Sequence, residues 1–137
     1  MDRRSFIATS AVTLTAAAVA HAADTKATPA SGSDLSSTIA RCLTASYACR
    51  EHCIATLEKG DTMMVACVRA LGDMIPLCEA VQQLAASKSK HLKKTVAACL
   101  DACVDCEAEC KKHASMAAEC KACLDACTAC IAACKKV

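Results

Sequence analysis

From residue 34 to the C-terminus, apolar or sulfur-bearing residues recur every three or four positions, with Lys, Asp, Glu and Ala between them. That period marks one face of an α-helix, at about 100° per residue. The pattern breaks in three places. Gly60 is a helix-ending residue, and Asp61 is suited to cap the next start. Ser87-Lys88-Ser89 is a short polar break, with Ser89 placed as an N-cap. Ser115 is placed in the same way after His113. Four helices are predicted: Asp34 to Glu58, with Ser33 or Asp34 as cap; Thr62 to Ala86; from Ser89 to His113; and from Ser115 to Lys135. Pro76 should kink the second, and Gly72, four residues earlier, should ease the bend. Short connections imply antiparallel neighbours. The predicted fold is all-α: an antiparallel up-down-up-down four-helix bundle over residues 34–137.

What fills the repeated positions is unusual. The predicted helices carry Cys42, Cys49 and Cys53; Cys67 and Cys78; Cys99, Cys103, Cys106 and Cys110; and Cys120, Cys123, Cys127, Cys130 and Cys134. Every interval is helical, so each set falls on one side of its helix. The 14 thiols should therefore line the core, where Leu would ordinarily stand. Composition agrees. The chain has 137 residues, one Tyr, one Phe and no Trp, and its 55% hydrophobic content is mostly Ala and Cys. Something other than bulky side chains must fill the interior. The net charge of +2 is spread along the chain, without a basic block or an aromatic platform, which argues against nucleic acid as a partner.

Three explanations of the thiol stripe compete. Cysteine could act as a small buried hydrophobe, but fourteen on one face is too many for that. A disulfide scaffold fits export. However, helical neighbours have Cβ atoms about 5–6 Å apart, whereas a disulfide wants about 3.5–4.5 Å. The C-x-x-x-C pairs Cys49/Cys53, Cys99/Cys103, Cys106/Cys110, Cys123/Cys127 and Cys130/Cys134 therefore cannot close within a regular helix. Metal remains. Soft thiolates favour Cu(I), zinc and iron–sulfur clusters. Thiolates in a dry core need neutralising, and a monovalent ion does so about one for one. Zinc prefers closed groups of four ligands, into which a stripe of pairs is not expected to divide. An iron–sulfur electron-transfer protein is the stronger rival, since Cys103-x2-Cys106-x3-Cys110 is partly reminiscent of a ferredoxin. Such ligands usually sit in loops, however, and these sit mid-helix.

The N-terminus reads as an address. Asp2-Arg3-Arg4-Ser5-Phe6-Ile7 resembles a twin-arginine export signal, though Asp2 and Ala8 depart from the usual pattern. Ala20-His21-Ala22 fits a cleavage site. Residues 1–22 are expected to be the signal and 23–33 a flexible linker. The expected product is a soluble periplasmic protein without a membrane anchor.

Glu51-His52-Cys53, Met64 with Cys67, and Ala118-Glu119-Cys120-Lys121-Ala122-Cys123 through Cys134 resemble the copper storage proteins, which fill a four-helix bundle with Cu(I). The resemblance covers the whole helical region. It implies the fourteen cysteines as ligands for about one Cu(I) each, with His52 and Met64 as ligands at the copper entrance. It also implies a homo-oligomer, expected to be a tetramer, and copper-delivering or copper-accepting partners. Thr56 and Lys59 stand where the exported branch tends to carry further methionines.

The residues themselves also point to an entrance. His52, Met63, Met64, His113 and Met116 fall near the first and third connections, which share one end of an up-down bundle. Thioether and imidazole bind Cu(I) without losing a proton at neutral pH. For Met63 and Met116, which align with the cysteine stripes, core packing is an equal alternative. His113 could equally favour a helix C-terminus. Met74 reads as packing, and His91 as solvated. Leu35, Ile39, Val81, Leu84, Leu92 and Val96 form an apolar plug at the other end. Leu100, Val104, Leu124 and Ile131 either complete the core or form a subunit interface. No activated nucleophile or carboxylate pair stands out, so a binding and storage protein is expected rather than an enzyme; detoxification would use the same chemistry.

Overall fold

The computed structural model describes residues 35–137. The predicted signal, its cleavage site, the linker and the Ser33/Asp34 cap lie outside the described residues. Four helices follow in order: α1 (Leu35–Glu58), α2 (Val65–Ala86), α3 (Leu92–His113) and α4 (Ala118–Cys134), with one 3-10 turn (Thr62–Met64) leading into α2. No described helix is long and apolar enough to cross a membrane.

The direction of each helix follows from which cysteines meet. Cys49 on α1 approaches Cys67 on α2, while Cys42 meets Cys78. On α2 and α3, Cys67 pairs with Cys110 and Cys78 with Cys99. On α3 and α4, Cys106 meets Cys123 and Cys103 meets Cys130. Cys49 also lies against Cys120, and Cys42 groups with Cys130. In every adjacent pair, rising numbers on one helix meet falling numbers on the other. The bundle is therefore up-down-up-down, with α4 closing against α1.

The first connection forms as its residues suggest. Gly60 adopts φ 86°, its N–H bonds Leu57 O at 2.9 Å, and Asp61 N bonds Thr56 O at 3.3 Å. This is a Schellman ending, in which a left-handed residue lets the chain recapture the last carbonyls. Asp61 then caps the next turn, its carboxylate accepting from Met63 N at 3.0 Å. The second connection repeats the Schellman ending without a glycine. Lys88 sits at φ 51°, with Lys88 N bonded to Ala85 O and Ser89 N to Leu84 O.

Two details depart from expectation. Ser89 does not cap α3 directly. Its Oγ accepts from His91 N at 3.2 Å, which closes a turn, and the helix begins at Leu92. Ser115 does not cap α4 either. After His113 the chain turns back on itself, Met116 N and Ala117 N both bonding His113 O. Ala117, in extended conformation, then takes the cap position without a side-chain bond. Pro76 lies inside α2, as the sequence places it, and the helix continues past it to Ala86. Pro76 and Gly72 both face solvent, so water can satisfy the Gly72 carbonyl that loses its N–H partner. A Cβ at Gly72 would meet nothing within 4 Å, so the proline ring does not require glycine there.

The plug residues Ile39, Val81 and Val96 are buried, with Leu35, Leu84 and Leu92 half-buried around them. Ile131 joins the core, Leu100 and Leu124 pack at its margin, and Val104 is exposed. Because Lys88 bears a Cβ in left-handed backbone, Lys88→Gly should stabilise the reduced, metal-free chain by about 0.5–1 kcal/mol. Gly60→Ala should destabilise it by about 1 kcal/mol. Urea unfolding followed by circular dichroism measures both, and opposite shifts of the two midpoints are expected.

Candidate metal centre

Helical period brings the thiols to one side of each helix, and antiparallel packing turns the four sides inward. All fourteen cysteines are buried and none is in a disulfide. Thirteen have no exposed surface, and Cys134 retains 3%. Within helices, the Sγ atoms of Cys49/Cys53, Cys99/Cys103, Cys106/Cys110 and Cys130/Cys134 are each 4.0 Å apart. Between helices the approaches run from 3.4 Å for Cys78–Cys99 to 4.0 Å for Cys106–Cys123, with Cys103–Cys130 at 3.5 Å and Cys49–Cys120 at 3.7 Å.

Those lengths have a chemical meaning. A disulfide needs sulfurs about 2.05 Å apart, so these are not bonds in waiting. With metal–sulfur bonds of about 2.3 Å, two sulfurs on one metal lie about 3.8–4.6 Å apart, from tetrahedral to linear geometry. The lattice of thiols is thus already close to the spacing that a shared metal imposes.

The sulfurs fall into five groups whose members all lie within 4.8 Å of one another. Two contain four thiols: Cys42, Cys78, Cys103 and Cys130, one from each helix; and Cys49, Cys53, Cys67 and Cys120. Three contain three: Cys49/Cys110/Cys123, Cys99/Cys130/Cys134 and Cys106/Cys123/Cys127. Between them the groups use every cysteine, and Cys49, Cys123 and Cys130 each belong to two. The expectation that the stripe would not divide into fours is therefore corrected. Alignment of stripes across helices sets four sulfurs at one height, which the period along a single helix does not reveal.

Without metal, most of the core thiols are harder to ionise than a free cysteine. Burial pushes the Cys53 and Cys120 thiols up. Cys134 is pushed up to about 11, chiefly through its hydrogen bond with Cys130. The Cys103 thiol is also raised, first by Cys130. Conversely, hydrogen bonds from Cys110 and Cys49 hold Cys67 down, to about 3. Cys103 and Cys130 hold Cys99 down, to about 5. The pattern is that of neighbours sharing protons. Where one sulfur takes the charge, those donating to it keep their protons, because like charges this close cannot all ionise.

The candidate entrance residues do not behave alike. Met64 is 4% exposed and His113 7%, and His113 Nδ1 is buried without a hydrogen-bond partner. His113 follows Cys110 by three residues, so it continues the α3 stripe. His52 is half-buried, its Nδ1 3.6 Å from Glu119 Oε2. Met63 and Met116 are exposed, at 54% and 62%. Their expected alignment with the stripes fails because neither lies in an α-helix: Met63 is in the 3-10 turn, and Met116 lies between α3 and α4. The five groups consist of cysteine alone, with His52 and His113 outside them. His91 is exposed, as expected.

Two core residues carried no chemical signal in the sequence. Ser46 continues the α1 stripe four residues after Cys42 and is fully buried. Its hydroxyl donates to Cys42 O at 2.7 Å and lies 3.7 Å from Cys123 Sγ. Leu71 fills the corresponding position on α2, also fully buried. The stripe spacing could have found both, since they fall on it.

The family model described as Copper storage protein matches residues 28–137, a span that holds all four helices and every cysteine. The chain belongs to the copper storage protein family. No curated protein matches it.

Because every sulfur is buried, the reduced folded chain should react slowly with an aromatic disulfide reagent, and all fourteen thiols should react once guanidinium unfolds it. A prompt full reaction in the folded state would show that the bundle opens on the timescale of the assay.

Proposed function

We propose that the chain stores Cu(I), about one ion per cysteine, in the thiol core of the bundle, and that copper enters at the end bearing the first and third helix connections. One observation carries the reading: fourteen buried, unoxidised thiols form five groups that between them use every cysteine and are joined through Cys49, Cys123 and Cys130 into two larger sets. Sulfurs that belong to two groups suit a metal that is content with two or three ligands and accepts bridging thiolates. Charge agrees. One Cu(I) per thiolate leaves the core neutral, whereas any excess of thiolate would be a buried, unpaired charge.

A second reading has its own support. The two four-thiol groups match closed, tetrahedral zinc sites. Each such site would carry two net negative charges in a dry core, and six thiols would be left without a role. Copper uses the whole lattice, so it is preferred.

The residues nominated at the entrance, His52 and Met64 by the family resemblance and Met63, His113 and Met116 by their place near the helix connections, sort by burial. Met64 and His113 are the inner ligands of this reading, and the unpartnered Nδ1 of His113 is free to bind a cation. Exposed Met63 and Met116 are first contacts for arriving copper. His52, held near Glu119, lies between these two layers. Neutral thioether and imidazole ligands take Cu(I) without first expelling a proton, while each thiol must lose one. Nothing in this sequence of ligand exchanges changes the oxidation state, so no catalytic turnover is implied. The resemblance of residues 2–7 to a twin-arginine signal supports storage in the periplasm, and an assembly of several copies is consistent with the family.

Titration of the reduced chain with Cu(I) without oxygen, against a high-affinity chelator, should saturate near one copper per cysteine. Zinc should saturate near two per chain, and copper should displace it. Binding of only one or two coppers would sink the storage reading. Because raised thiols such as Cys53, Cys120 and Cys134 are protonated at neutral pH, each copper bound at such a thiol should release a proton. Apparent affinity should therefore fall as the pH is lowered.

The entrance makes a separate prediction. His113→Ala combined with Met64→Leu should leave capacity nearly unchanged but slow uptake several-fold in stopped-flow absorbance. Equal substitution of Leu35 and Leu92 at the plug end should not slow it. Slowing at the plug end alone would reverse the assigned direction of entry.

A further inference from the structure

The thiol lining is not uniform along the bundle. On α3 the inward positions 99, 103, 106 and 110 are all cysteine, as are 120, 123, 127, 130 and 134 on α4. On α1 the series is Cys42, Ser46, Cys49, Cys53, and on α2 it is Cys67, Leu71, Met74, Cys78. Ser46, Leu71 and Met74 are each fully buried. At mid-height, then, two of the four walls exchange thiols for a hydroxyl, an alkyl group and a thioether. The group that lies between the two four-thiol groups, Cys106/Cys123/Cys127, is drawn from α3 and α4 alone.

Met74 spans this waist. Its Sδ lies 3.3 Å from Cys78 Sγ, in the four-thiol group near the plug, and 4.0 Å from Ser46 Oγ. Ser46 Oγ in turn lies 3.7 Å from Cys123 Sγ, which belongs both to the waist group and to a group nearer the entrance. The thioether therefore stands between two thiol compartments rather than against an apolar wall.

We propose that Met74 is an internal Cu(I) ligand at a waist that divides the core into an entrance compartment and an inner compartment, so that the core fills in two stages. The proposal rests on the copper-storage reading above. A thioether donates a lone pair and no charge. Cu(I) held by one thiolate and Met74 is thus neutral, whereas Cu(I) held by two unshared thiolates is anionic. The waist offers fewer thiolates than either compartment, so it binds copper less tightly and passes it on. Each exchange forms one Cu–S bond as another breaks. A proton leaves only when the receiving sulfur is a thiol, and copper remains Cu(I) throughout.

The test uses the reduced chain labelled with ¹³C at the methionine methyl groups, titrated anaerobically with Cu(I) and followed by NMR, with single substitutions assigning each methyl. The Met64 methyl should shift with the first coppers, and the Met74 methyl only after the entrance compartment is filled. Met74→Leu, close in volume, should leave the fast phase of uptake unchanged, slow the later phase several-fold and lower capacity by about one copper. Ser46→Cys, which restores a thiol to the waist, should merge the two phases. It guards against a folding defect in the first variant. If capacity is near one copper per cysteine but Met74 never shifts, or uptake is single-phase in both variants and the parent, the waist proposal fails while storage stands. If the parent takes up only one or two coppers, storage itself fails.

Discussion

A core made of thiols must keep its charge near zero, and the rest of the molecule follows from that constraint. In the metal-free chain the sulfurs are mutually hydrogen-bonded, and where one such as Cys67 takes a charge its neighbours keep their protons, which limits the charge of the core. In a loaded chain, monovalent metal would take over from the protons, one positive charge for another. The exchange alters neither the net charge of the interior nor the number of groups requiring burial. A divalent metal cannot substitute on the same terms, because four thiolates around it leave an excess of negative charge where water does not reach. Neutrality, as well as sulfur affinity, would therefore favour a monovalent ion.

Helices are the natural carriers of such a lining. A helix satisfies its own backbone polar groups, so its inward side chains need offer no hydrogen bonds to the main chain. Two thiols one turn apart are held too far apart to oxidise to each other, yet near enough to share a metal. The 4.0 Å separations within α1, α3 and α4 are direct consequences of this geometry. The large apolar side chains are concentrated at one end, where Ile39, Val81 and Val96 seal the bundle. That leaves the opposite end to Met64 and His113, buried but able to bind a soft cation.

Much of this was legible before the structure. The three breaks and the three-to-four period marked four helices, and Gly60 and Asp61 take the conformations that their chemistry predicts. The cysteine walls were legible because each is a property of one helix. What failed depended on something outside a single helix. Met63 and Met116 were placed by a period that does not extend into a 3-10 turn or a loop. Ser115 lost its capping position to Ala117, whose extended backbone enters α4 after a turn closed on His113 O. The groups of four depend on the relative heights of four stripes, which only packing determines. Ser46 and Leu71 drew no notice because a hydroxyl or an alkyl group on a core face ordinarily means packing.

The spacing of the sulfurs also bears on how little the bundle must move to take up metal. Interhelical approaches of 3.4–4.0 Å are at or just below the separation of two ligands on one metal. Occupancy would therefore widen the core by tenths of an ångström rather than open it. The outer seam between α1 and α4 is suited to such an adjustment. It is lined by Ala40, Ala45, Ala48 and Ala122 together with Thr44 and the exposed Arg41, so a slight separation of the helices there unseats no large buried side chain. Alanine thus serves twice, as a helix former and as a smooth outer contact. A conventional leucine core would hold the four helices in one fixed packing. Small residues around a sulfur lattice instead let the same fold accommodate an interior that is empty of metal or filled with it.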